Sequence, residues 1–125
     1  MQAIAKQKVF VVDDEKQIAR LLSVALRQSE FDVETFFDAR SALERAILCL
    51  PDVLVSDITM PEMDGITLAE TIRERNPNCR IILISGNPTW GVRGALQLSR
   101  VDGFTLLMKP FAIKELLSLI KSEQS

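Results

Sequence analysis

The stretch D-V-L-V-S-D-I-T-M-P-E-M-D-G, residues 52–65, decides how the rest of the chain reads. Asp52 to Ser56 is a short β-branched apolar run of strand type, and Asp57 stands at its end. Pro61 and Gly65 then punctuate a loop. Ile66, Ala69 and Ile72 follow at helical spacing, and Asn76-Pro77 marks the stop. Strand, acid, loop and helix make one β-α unit.

The same alternation extends both ways. Upstream, Val9 to Val12 reads as a strand, and Ile18, Leu21, Leu22, Ala25 and Leu26 form a helical stripe. Phe31 to Phe36 is the next strand, followed by a helical face at Ala42, Leu43, Ala46, Ile47 and Leu50. Downstream, Arg80 to Ile84 is a strand apolar enough to be covered on both faces. Thr89 to Ser99 predicts a helix weakened by Gly91 and Gly94, since each interior glycine costs ~1 kcal/mol relative to alanine. Phe104 to Met108 is the fifth strand, and Ile113, Leu116, Leu117 and Ile120 mark a closing helix. Five β-α units predict an α/β fold: a parallel sheet with right-handed crossovers and helices on both faces.

The length of 125 residues fits one domain, expected to have its core over about residues 8–122 with no output domain in the chain. No apolar run approaches the ~20 residues of a membrane span, and the start shows no secretory h-region. A net charge of −2 gives no bulk attraction to nucleic acid. Cys49 and Cys79 make no disulfide framework, so the expected setting is the cytoplasm. The absence of histidine excludes Ser-His-Asp triads and imidazole metal sites. Any metal must be held by oxygen.

In an open parallel sheet, ligands bind beyond the carboxyl ends of the strands. Those ends carry Asp13-Asp14, Asp57, Ser85 and Lys109-Pro110. Three carboxylates crowded on one edge repel one another unless a cation sits among them, and Mg²⁺ suits a site with few carboxylates and several waters.

The pieces V-F-V-V-D-D-E at 9–15, the 52–65 stretch, I-I-L-I-S-G at 81–86 and M-K-P-F at 108–111 occur in order, each at a strand end. Together they resemble the receiver domain of two-component response regulators, single-domain and chemotaxis-receiver-like, over essentially the whole chain. That resemblance implies a flavodoxin-like, doubly wound (βα)5 fold with strand order 2-1-3-4-5. It implies Asp57 as phosphoacceptor, with Mg²⁺ held by Asp13, Asp14, Asp57 and the Thr59 carbonyl. Ser85 then bonds the phosphoryl group, Lys109 pairs with it, and Lys109-Pro110 is cis. The implied partners are a histidine kinase or phosphotransfer protein and a downstream protein, with homodimerisation on activation; direct nucleic-acid binding and membrane insertion are not expected. Thr59 and Asn87 occupy the positions that modulate water attack in the family.

Two departures bear on output. Receivers commonly carry Tyr or Phe three residues before the lysine; here Leu106 holds that place, with Phe104 on the same strand face. The weak helix at 89–99 has Trp90 near its start. Ser85, Leu106 and Trp90 are therefore the candidate switch residues.

Other readings stand beside this one. Asp14 is placed to cap the first helix, with Gln17 completing a capping box. Asp64 reads as a helix-start residue, and the cysteines as partly buried thiols. As functions, the alternatives are a relay or phosphate-sink receiver, a receiver-like interaction module that is never phosphorylated, an aspartyl-nucleophile phosphohydrolase, and a flavin carrier. Thr59 stands where the phosphohydrolase type usually has a second Asp. Asp13-Asp14-Glu15 repels a flavin phosphate. No turnover of external substrates is expected, beyond self-phosphorylation and dephosphorylation.

Overall fold

The computed structural model describes residues 6–86 and 104–122. It contains β1 (Lys8–Val12), α1 (Lys16–Gln28), β2 (Asp32–Phe36), α2 (Ala39–Leu48), β3 (Val53–Asp57), α3 (Gly65–Arg75), β4 (Arg80–Ser85), β5 (Phe104–Met108) and α4 (Ile113–Ser122). The strands form one parallel sheet in the order β2-β1-β3-β4-β5. The expected helix at 89–99, with Trp90, and Asn87 lie outside the described residues.

Strand alternation splits the core in two. Phe10, Val12, Leu54, Ile81 and Leu83 face α2 and α3, while Val9, Val11, Val53, Val55, Ile82 and Ile84 face α1 and α4. Both faces are covered, which is why β3 and β4 read as unbroken apolar runs. Arg80, at the root of β4, donates from its guanidinium to the carbonyls of Leu119 and Ile120 at 2.6 and 2.5 Å, tying the last turn of α4 to the sheet.

The predicted helical stripes are too wide in two places. Leu21 is 58% exposed and Ile47 60% exposed. Ala19, Leu22 and Leu26 centre α1 on the sheet, and Leu21 lies ~100° round the helix from Leu22. In α2 the small Ala39, Ala42 and Ala46 form the contact, which leaves Ile47 on an outer shoulder. Leu50 lies beyond the end of α2 and is exposed. Phe104 and Leu106 pack against the same core cluster, as the strand period predicts. Cys79 is buried, which pushes its thiol up to about 12, and Cys49 is half-buried.

Candidate functional site

Each acid is delivered by the end of a strand. Asp13 directly follows β1 and its amide donates to the Phe36 carbonyl, while Asp57 is the last residue of β3 and pairs with Ile84. Parallel pairing of β1 with β3 puts these ends side by side. The carboxylates of Asp13, Asp14 and Asp57 offer ligand atoms that all lie within 4.8 Å of one another, with Asp13 and Asp57 buried and Asp14 exposed.

Asp13 shows what that proximity does. Its Oδ1 accepts the Glu15 amide at 2.9 Å, while Oδ2 is buried without a hydrogen-bond partner among the described residues. Burial, opposed by the Glu15 amide and aided by the charge of Asp57, raises its carboxyl to about 6. Burial also raises Asp57, against the pull of Lys109 and with a push from Asp14. An orphaned carboxylate oxygen amid like charges is what an oxygen-ligated divalent cation would satisfy. The donor set fits Mg²⁺.

The expected capping role of Asp14 is corrected. Glu15 is the N-cap of α1 and no side chain caps it; Asp13 takes the Glu15 amide, leaving Asp14 outside the helix start. Asp64 does cap, accepting the Thr67 amide at 2.8 Å.

Lys109 enters from the loop after β5. Its Nζ lies 3.6 Å from Glu15 Oε1, 3.7 Å from Asp57 Oδ2 and 3.8 Å from Asp13 Oδ2. Its amide donates to the carbonyl of Ser85, the buried end of β4, at 2.8 Å. The Lys109-Pro110 bond is cis. Thr59 is exposed in the loop that follows Asp57.

Two residues that sequence reasoning did not place in the site belong to it. Gly65 donates its amide to Ile58 at 2.8 Å, and a Cβ there would sit 2.1 Å from the Asp57 carbonyl oxygen. No side chain fits, so helix α3 is held directly against the backbone of β3 at Asp57. The D-G pair at 64–65 was the available signal. Glu15, a third consecutive acid, brings its carboxylate within 3.6 Å of the Lys109 ammonium.

The family model of the response regulator receiver domain matches residues 9–121. The chain belongs to this family. As a receiver domain it is 31% identical over 119 residues to the transcriptional regulatory protein PrrA of Mycobacterium leprae, covering 95% of this chain and 50% of PrrA. It is 34% identical over 113 residues to the DNA-binding transcriptional regulator NtrC of Escherichia coli, covering 90% of this chain and 24% of NtrC. This receiver thus spans about half, or a quarter, of the length of these curated relatives. It superposes on the chemotaxis protein CheY4 of Vibrio cholerae with a TM-score of 0.83 at 28% identity, covering 94% of this chain and 98% of that one. No helix among the described residues is long and apolar enough to cross a membrane.

Proposed function

We propose that this receiver is a phosphoacceptor signalling module, with Asp57 taking a phosphoryl group from a phosphohistidine on a kinase or phosphotransfer protein in the cytoplasm. The observation that carries the reading is the trio of carboxylates around the orphaned Asp13 Oδ2, with one ammonium at its edge.

Asp13, Asp14 and Asp57, with the Thr59 carbonyl, would hold Mg²⁺, which when bound neutralises charge on the transferring phosphoryl oxygens. An Asp57 oxygen bonds phosphorus as the donor's P–N bond breaks, and the imidazole nitrogen leaves with the electron pair. Lys109 steadies the equatorial charge and the Ser85 hydroxyl donates to a phosphoryl oxygen. Asp57 must be ionised to attack, and the Lys109 charge opposes the upward push of burial. The product is an acyl phosphate, whose extra charge reorganises the donors nearby.

Output runs through Ser85 in this reading, because Leu106 supplies no ring. The phosphoryl group draws the Ser85 hydroxyl toward itself, and the displaced end of β4 changes affinity for a downstream protein.

Incubation with acetyl phosphate and Mg²⁺ tests the acceptor. Intact mass should rise by one phosphoryl group in the parent and not in Asp57→Asn, nor in the parent with EDTA. Undiminished labelling of Asp57→Asn refutes the assignment, and turnover of general phosphoesters would favour a phosphohydrolase instead.

A further inference from the structure

Lys109 has three acids within reach and hydrogen-bonds none of them at ordinary length. Its ammonium lies between 3.6 and 3.8 Å from Glu15, Asp57 and Asp13, whereas a charge-assisted N–H···O bond closes to about 2.8 Å. Two of those acids are buried and belong to the proposed metal-binding set; Glu15 is 62% exposed and does not. Glu15 is also an N-cap whose side chain makes no cap hydrogen bond, although it stands where Ser, Thr, Asp or Asn ordinarily turn back on the helix. Its backbone is pinned at both ends: the amide donates to Asp13 Oδ1, and the carbonyl accepts from Ala19 at 3.0 Å. The carboxylate is therefore carried at a fixed root beside the site, aimed at the lysine.

We propose that Glu15 is a positioning residue for Lys109: it holds the ammonium at the rim, so that the lysine does not close onto Asp13 and Asp57 before the phosphoryl group arrives. The inference rests on the phosphoacceptor reading and adds a residue to it. Two consequences of opposite sign follow. Without the Glu15 charge, Lys109 settles on Asp57 and Asp13 and competes with a divalent cation for them. Once a phosphoryl group is in place, Glu15 is a rival for the lysine, so its removal strengthens the Lys109–phosphoryl pair.

Calorimetry on the purified chain separates these effects. In Glu15→Gln, Mg²⁺ alone should bind about fivefold more weakly, while beryllofluoride at saturating Mg²⁺ should bind about fivefold more tightly, as expected of one exposed charge about 4 Å away at nearly bulk-water screening. In a Lys109→Met background the same change should alter beryllofluoride binding by less than about twofold, because the coupled partner is gone. Glu15→Asp, which keeps the charge on a shorter stem, should fall between parent and Glu15→Gln on both axes. Weakening of both ligands means Glu15 is only structural, and equal tightening in both lysine backgrounds means only diffuse repulsion; either overturns the role of Glu15. Retention of beryllofluoride binding in Asp57→Asn would instead overturn the phosphoacceptor reading itself.

Discussion

Two charged clusters lie at opposite ends of the first strand, and they are built on opposite principles. At the root of β1, Lys8 Nζ meets Glu34 at 2.8 Å and Asp32 at 3.3 Å, and Arg45 grips both Glu34 oxygens at 2.7 and 3.2 Å. Two acids face two bases. The Arg45 and Lys8 hydrogen bonds hold Glu34 below the usual carboxylate range, and Glu34 in turn raises Lys8. At the tip of β1, where Asp13, Asp14 and Asp57 crowd together, Lys109 is the one cation among the described residues that approaches Asp13, Glu15 and Asp57, none of these pairs closes below 3.6 Å, and Asp13 is raised. The same polypeptide solves its electrostatics at one end and leaves them unsolved at the other. Unsolved charge is what a cation and a phosphoryl group can complete.

The largest effect expected at the tip comes from backbone rather than charge. Gly65→Ala should cost about 3 kcal/mol or more in urea unfolding, because its Cβ has no place beside the Asp57 carbonyl. A loss below about 1 kcal/mol would mean that α3 can slide away from the end of β3.

Next in size is Asp13→Asn. Folding raises this carboxyl from about 3.9 to about 6, so the native state binds the proton more tightly than the unfolded chain. The stability it contributes is therefore present below about pH 4 and is lost as pH rises to about 6. Without metal, Asp13→Asn should gain about 2 kcal/mol at pH 7.5 and flatten that part of the pH profile. Saturating Mg²⁺ should reverse the order of parent and variant by mass action. An Asp13→Asn protein less stable than the parent without metal would make Asp13 a structural acceptor.

Glu34→Gln at the root should act with the opposite sign and a smaller size. Its carboxyl is depressed in the fold, so its contribution is present at neutral pH and lost as pH falls through the carboxylate range. A lowered melting temperature at pH 7 that largely vanishes in 1 M salt is the expected result. An unchanged melting temperature at low salt would show that the root cluster is decoration.

The smallest signal expected is optical. Beryllofluoride with Mg²⁺ should change Trp90 fluorescence in the parent and in Leu106→Ala, and hardly at all in Ser85→Ala. The reverse pattern would route output through β5.

How much of this was legible depended on the physics of each feature. Strand order came from the family resemblance, whereas the meeting of Asp13, Asp14 and Asp57 was legible in the residues themselves, because parallel strands bring their carboxyl ends to one edge wherever the acids stand in sequence. The helix faces were less so: Leu21 and Ile47 satisfy a helical period yet face outward, because the buried arc depends on how closely alanine lets a helix approach the sheet. Gly65 looked like punctuation, since a close approach of two backbones leaves no mark beyond the residue that permits it. The Glu15–Lys109 approach joins residues 94 positions apart, and no local pattern announces it.

The clasp of Arg80 on Leu119 and Ile120 carries a consequence for how the molecule breathes. A helix end ordinarily frays alone, at almost no free-energy cost. Here the last turn of α4 can unwind only by surrendering donors rooted in a central strand, so terminal opening becomes a shared event. Amides in that turn should exchange with solvent more slowly than a helix terminus ordinarily allows, and Arg80→Ala should release them to fray. The protein would then lose rigidity at its edge while its acidic tip stayed intact.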